Sequence, residues 1–404
     1  MELLRVETRA VPQEPGRVRL VGEVVYDDRP HAREELWFEV DESLSDSLSR
    51  TADPWLAVLL PLAATIREPL RLALRLDPVL RANAAELNAI WRAWYPWLGE
   101  VRVEADALDT RDAAGGPLTG AFFSAGVDSF YMVMRRLRDP RALVRPDELI
   151  CVAGFDVPLA RREERLRRRA RLTAVAESLG TRFVEVATNV KETRVATADW
   201  NDLWHGCGIV ATGLALERRY RRLMIAATFA YSQLKPLGSH PMTDPLLSTG
   251  RTRVLHEGAS ATRFQKVEYL AGLETPLDSL HVCWKEESDQ NCGRCEKCLR
   301  TMIMLEVAGA LSRAKTFPVR TLDLDRVSRI LLKRDRSYDT YYREVSRWAL
   351  RNGRADIHRA IESCNRASRL RRRAVSLSQS WKTKRVLWRA ARRLHHWALQ
   401  GRVA

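Results

Sequence analysis

Four cysteines lie within sixteen residues, Cys283, Cys292, Cys295 and Cys298, separated by eight, two and two residues. Thiolates at such short spacing satisfy the tetrahedral shell of zinc, and four sulfurs close that shell, which predicts a structural rather than a catalytic ion. Gly293 eases the turn between ligands, and Cys295 and Cys298 open a predicted helix, Cys295–Val307, whose N-terminal dipole favours thiolate. The other three of the seven cysteines are scattered. Cys207, close to His205, reads either as a nucleophile or as a small buried thiol.

A second group of residues could bind an anion. In Phe122-Phe123-Ser124-Ala125-Gly126-Val127-Asp128-Ser129 an apolar strand runs through small residues straight into a helix. Such a junction presents free N–H groups and a positive dipole end. Gly126 allows close approach of a phosphate oxygen, Ser124 and Ser129 add hydroxyl donors, and Asp128 could bind magnesium or cap the helix. The bland alternative is an ordinary capped strand–turn–helix. The next strand ends in Gly154-Phe155-Asp156, so Asp156 faces the same ligand by position, as a ribose or adenine contact or as a turn residue. Further along, His240, Asp244 and Ser248 fall in a Gly/Pro-punctuated loop and are candidates for substrate or magnesium contact. Arg263 and Lys266 begin a helix and could neutralise a leaving pyrophosphate, or could simply be an exposed helix start.

The Ser124–Ser129 string resembles the Ser-Gly-Gly-x-Asp-Ser loop of the PP-loop ATP pyrophosphatase superfamily, with Ala125 in place of the first glycine. The run from Cys283-Trp284 to Cys298-Leu299-Arg300 resembles the zinc motif of 7-cyano-7-deazaguanine synthase, a member of that superfamily. The resemblance spans roughly residues 118–310 and marks a divergent relative. It implies ATP cleaved between its α and β phosphates, a carboxylate adenylated, and attack by ammonia or an amine. The implied nucleotide contacts are Phe123, Ser124, Ala125, Gly126, Val127, Asp128, Ser129 and Asp156, with Asp128, Ser129 and Lys266 in catalysis. His240, Asp244, Ser248 and Arg263 are the expected substrate contacts, and the expected cofactors are ATP, Mg2+ and structural Zn2+. Two other readings are a tRNA sulfurtransferase of the same superfamily and a non-catalytic nucleotide-binding partner protein.

These groups need a scaffold. From residue 118 strands and helices alternate: Leu118–Phe123, Ser129–Arg138, Leu149–Ala153, Arg161–Leu179, Arg182–Ala187, Trp200–Tyr220 and Leu223–Ala227. That alternation predicts an α/β fold with a parallel, doubly wound, Rossmann-like sheet. Before it, strand-like Val18–Tyr26 and Glu35–Val40, helical Asp53–Glu68 and Pro78–Pro96, and a last strand Val101–Ala105 read as an α+β domain. Asp77 caps the second helix and Pro78 starts it, while Trp55, Trp91, Trp94 and Trp97 are assigned to a core. The expected domains are residues 1–115, 116–282 for ATP binding, 283–310 for zinc and a basic helical region over 311–404, with a linker at Asp112–Pro117. The length of 404 residues favours more than one core, and 46% hydrophobic residues exclude a disordered chain. Residues 1–10, with Glu2, Arg5, Glu7 and Arg9, do not read as a secretory signal, and no apolar run is long enough for a membrane span. The expected location is the cytoplasm. The net charge of +16 is concentrated at the end, with twelve Lys or Arg against Glu362 alone after residue 360. The expected partners are a small-molecule or peptide carboxylate as substrate, RNA through that basic tail, and a second copy in a homodimer.

Overall fold

The computed structural model describes residues 1–108, 116–283, 290–330 and 341–371. Most of the Asp112–Pro117 linker and most of the basic tail lie outside these. The order of elements is β1 (Glu2–Ala10), β2 (Arg17–Tyr26), β3 (Arg29–Asp41), α1 (Asp53–Ile66), β4 (Leu70–Leu76), α2 (Pro78–Trp94), β5 (Val103–Leu108), β6 (Leu118–Phe122), α3 (Val127–Arg138), β7 (Glu148–Ala153), α4 (Arg162–Ser178), β8 (Arg182–Thr188), α5 (His205–Leu214), β9 (Tyr220–Ala226), β10 (Arg253–Glu257), α6 (Arg263–Ala271), α7 (Glu274–Ser279) and α8 (Glu296–Val307). Shorter helices Leu324–Ser328 and Arg343–Arg351 and a helix over 355–371 follow.

All ten strands form one α/β sheet, ordered β10-β9-β6-β7-β8-β3-β2-β1-β4-β5, and six of its nine pairings are parallel. Residues before and after the linker therefore share a sheet. The junction is β3 against β8, antiparallel, with Phe38 opposite Thr188 and Glu39 opposite Ala187. Asn189 seals it, accepting from the Trp37 N–H at 2.9 Å and donating to the Glu35 carbonyl at 2.8 Å.

Side chains alternate across the sheet, so each strand feeds two cores. Phe122, Ile150 and Ile225 face one, with α1 and α5; Ala121, Leu149 and Met224 face the other, with α3, α6 and α8. The first core runs without a break from Met1 to Val254 and includes Trp55 and Trp91. α1 is apolar on every side and is buried from Asp53 to Ala64, as a helix between sheet and neighbours must be. Asp77 accepts from the Val79 and Leu80 N–H groups and caps α2.

Three expectations need correction. Trp97 is 62% exposed and is not part of the core. Trp200–Tyr220 is not one helix: Trp200–Trp204 is a π-helical turn, α5 ends at Leu214, and Tyr220 already belongs to β9. β1, β4 and β10 were not anticipated: β10 (RVLHE) is short and mixed, while β1 (ELLRVETRA) and β4 (LRLALRL) do alternate over most of their length but are rich in Leu, Arg, Glu and Ala, residues that favour helix as much as strand. Among the described residues no helix is long and apolar enough to cross a membrane.

Candidate functional site

β6 lies at the centre of a parallel run, with β7 and β8 on one side and β9 and β10 on the other. The chain leaves β6 toward β7 and later returns to β6's opposite flank, which makes the carboxyl end of β6 a topological switch point, the position where open α/β sheets bind ligands. A cavity of about 380 Å³ opens there, lined by Phe122, Ile150, Val152 and Ile225 from the strands and by Ser124, Gly126, Val127, Asp128 and Ser129 from the loop into α3.

The loop is preorganised. Ser124 N–H donates to Ser129 Oγ (3.3 Å), Ser129 Oγ donates to the Gly126 carbonyl (3.1 Å), and Gly126 N–H donates to Ser124 Oγ (3.4 Å). Among the described residues no side chain caps α3. The amides of Val127, Asp128 and Ser129 fall in the first turn and have no acceptor within the helix. Asp128 therefore does not act as the cap. Gly126 has an ordinary φ of −79°, while Ala125, with φ +57°, carries the left-handed conformation. The Ala125 methyl and the Phe123 ring are buried in the core beneath the loop.

Charge converges on this loop. Asp128 accepts from Arg263 at 2.6 Å through one oxygen and from Lys266 at 3.0 Å through the other. Lys266 is buried and also donates to the Ala227 carbonyl at 2.5 Å; burial lowers its pKa from the ordinary lysine value. It stands behind Asp128 and outside the cavity lining, whereas Arg263 is part of that lining. Asp156 lines the cavity and pairs with Arg168 at 3.2 Å. Desolvation pushes the Asp156 carboxyl up, but Arg168, with Lys297 and Lys191 beyond, outweighs it and holds the pKa below the usual value. Gly154 makes this turn possible: its φ is +97°, and a Cβ there would meet the Thr188 carbonyl oxygen at 2.0 Å.

His240, Asp244 and Ser248 do not line this cavity. The Asp244 carboxylate accepts from Ser239 Oγ (2.7 Å) and the His240 N–H (3.1 Å) and contacts His256 Nδ1 at 2.7 Å. Ser248 Oγ accepts from the Val254 N–H at the start of β10. His240 packs against Trp94 with ring centroids 4.9 Å apart. These contacts organise the chain around β10. His205 does reach the cavity, edge-on to Trp200, and burial lowers its pKa. Cys207 is buried, and burial pushes its thiol pKa well up, which suits a packed thiol and not a nucleophile.

The thiol sulfurs of Cys283, Cys292, Cys295 and Cys298 lie within 4.8 Å of one another, an arrangement that could hold a metal such as zinc. Backbone N–H groups already point at them: Arg294 and Cys295 donate to Cys292 Sγ, and Cys298 donates to Cys295 Sγ at the cap of α8. The contact with Cys295 and burial push the Cys298 thiol pKa up. Cys283 also lines the cavity, as do Lys297 and Arg300 from the first turns of α8. Arg300 lies 3.9 Å over the Tyr341 ring and pairs with Glu296 at 3.2 Å.

Comparisons with protein-family models, curated proteins and solved structures return no match to this chain. The cavity residues that sequence reasoning did not single out include Arg168, Thr228, His281, Lys297, Arg300 and Tyr341. Lys297 and Arg300 were findable: three residues apart, they share one face of the helix that the cysteines start. Arg168 was hidden among the many arginines of α4.

Proposed function

We propose that this protein is an ATP-dependent adenylating enzyme of the PP-loop type that activates a carboxylate for attack by ammonia or an amine. The observation that carries this reading is the uncapped N-terminus of α3, which enters from the central strand into a cavity at the switch point. Exposed amides and the helix dipole favour an anion there, and among the described residues no side chain competes for them. The order β8-β7-β6-β9-β10 is that of a doubly wound nucleotide-binding sheet.

In the proposed reaction the triphosphate lies on the Ser124–Ser129 loop. A carboxylate oxygen attacks the α phosphorus, and the bond to the bridging oxygen breaks, so pyrophosphate leaves with the electron pair. An amine then attacks the acyl carbon of the adenylate, AMP departs, and the amine loses a proton to solvent. Arg263, Lys297 and Arg300 supply positive charge where the phosphates carry negative charge. Both Asp128 oxygens are engaged by Arg263 and Lys266, so this carboxylate serves as the organiser of two cations. That pairing does not fit an open magnesium site. Zinc is the metal proposed for the cysteines, since four thiolates form a closed tetrahedral shell. The thiol-transfer alternative needs a reactive sulfur, and the three cysteines outside the cluster, Cys151, Cys207 and Cys364, are all buried.

The test is pyrophosphate release from ATP across a panel of carboxylic acids and amines, with Asp128→Asn alongside. The expected result is acid-dependent release that falls at least ~100-fold in the variant, the order of loss when a preorganised donor, here Arg263 released from Asp128, no longer meets the transition state. Equal release by the two proteins removes the assignment. Retained binding of ATP with no release on any acid leaves a nucleotide-binding partner protein instead.

A further inference from the structure

The cysteine cluster and the phosphate loop are joined by a short run of buried hydrogen bonds. Asn291, next to Cys292, is buried, and its Oδ1 accepts from the Val282 N–H (2.8 Å) and the Cys283 N–H (3.1 Å). Its Nδ2 donates to the Leu280 carbonyl at 2.8 Å. One side chain thus clamps residues 280–283 against the segment that carries the cluster. Within that clamped stretch, two residues before the ligand Cys283, the His281 N–H donates to the Ala125 carbonyl at 2.9 Å.

Ala125 is the left-handed residue of the loop. Such a conformation is unfavourable for a residue with a Cβ and persists where the surroundings over-determine it. The bonds inside the loop link Ser124, Gly126 and Ser129 and do not reach the Ala125 carbonyl. The His281 N–H does, and it comes from the cysteine segment. A metal that served only to stiffen α8 would not require this connection.

We infer that metal occupancy of the four-cysteine cluster sets the conformation of the phosphate loop. The filled cluster fixes residues 280–283, and the His281 N–H then holds Ala125 in the left-handed state that lets the chain enter α3. His281, through its backbone, and Asn291 are positioning residues. The consequence for ligand affinity rests on the proposed nucleotide reading; the coupling of metal to backbone order does not.

The experiment is amide hydrogen exchange on the full chain, zinc-loaded and after treatment with a chelator. Loop and α3 amides over residues 122–134 are expected to exchange about fivefold to tenfold faster without metal, the weight of one hydrogen bond. The strands β1–β3 are expected to keep their rates. Equal loop exchange with and without metal overturns the inference. Metal removal that loosened the whole chain would obscure this, so a second variant isolates the bond. Measured against a His281→Ala control that loses the same imidazole but keeps the N–H, His281→Pro deletes the donor, and Leu280 before it is already extended, with ψ 117°. It is expected to keep one zinc per chain and to show the same acceleration in the loop; an unaltered loop in this variant also overturns the inference. Ala125→Gly, which relieves the strain, is expected to shrink the response to chelation, and a response of full size counts against the mechanism. Binding of a non-hydrolysable ATP analogue separates the two readings. Metal-responsive exchange with no analogue bound leaves the coupling standing and removes the proposed function. Equal analogue affinity and equal exchange in both forms do the reverse.

Discussion

At Ala125 three magnitudes nearly cancel. The left-handed conformation costs about 1–2 kcal/mol relative to glycine. The buried methyl returns ~0.8 kcal/mol, and alanine restricts the unfolded chain by about 0.4–1 kcal/mol more than glycine does. Ala125→Gly is therefore expected to change stability by less than ~1 kcal/mol. Ala125→Val, β-branched, left-handed and overpacked against the core, is expected to lose ~3 kcal/mol or more. Urea denaturation of the two variants checks this, and a valine protein as stable as the glycine one would falsify the conformational account. His205 and His240 give a second prediction. Burial lowers both pKa values below the unfolded value of ~6.5. Between the folded and unfolded pKa the unfolded state binds more protons, so stability falls as pH drops below that unfolded value. Each histidine removes up to ~1.4 kcal/mol per pH unit in that window. Denaturation midpoints at pH 7.5 and 5.5 should differ more in the wild type than in the His205→Gln/His240→Gln double variant. The clustering of the four cysteines and the placement of Ser124, Gly126, Asp128, Ser129, Asp156 and Arg263 around one cavity were legible, because local spacing and position at strand ends set them. His240, Asp244 and Ser248 were misplaced because a polar loop after a strand can fold toward the cavity or away from it. Here the Asp244 carboxylate turns it toward β10.

Elements with one dominant signal were readable. α2 has a capping aspartate, a first-turn proline and an amphipathic face, and its start at Pro78 matches the sequence reading. β6, β7 and β8 are short apolar or β-branched runs between helices, and their limits fall within one residue of expectation. α4 was legible by length although its surface is almost wholly charged; ion pairs such as Arg161–Glu164 and Arg167–Glu163 lace it. The unread strands owe their state to partners. β4 (LRLALRL) would suit a helix as well, and pairing with β1 and β5 decides it. The π-helical turn at Trp200–Trp204 is likewise a tertiary outcome. It seats Trp200 4.8 Å from Phe155 and 4.4 Å from Trp204, and no local pattern announces that arrangement.

The whole molecule is held by contacts between residues far apart in sequence. Asparagine and threonine side chains stitch β3 to β8, and at the other end of the core Ser49 N–H donates to the Ala215 carbonyl while Ser49 and Thr51 bond Glu217. Residues 1–98 and 122–254 contribute to one apolar cluster. Thermal unfolding followed by tryptophan fluorescence and by far-ultraviolet circular dichroism is therefore expected to give one coincident transition for the sheet. Separate transitions for the two halves would count against the shared core. The boundary read near residue 115 reflects a real change in pattern, because two of the four pairings among β1–β5 are antiparallel whereas all four among β6–β10 are parallel; a change of pattern does not require a change of core.

The antiparallel seam between β3 and β8 also imposes a timetable on synthesis. The Thr188 hydroxyl that bonds the Trp37 carbonyl is 151 residues downstream of it. At roughly 5–20 residues per second, β3 waits on the order of 8–30 s on the ribosome before its second neighbour exists. During that interval its outer edge is open to any other extended chain. The early part of the strand, Arg29 to Glu35, carries Arg29, His31, Arg33, Glu34 and Glu35 and is largely exposed, the kind of charged edge that rejects stray pairing. Neutralising Arg29, His31 and Arg33 together is expected to increase aggregation during synthesis, with little change in the stability of the folded protein.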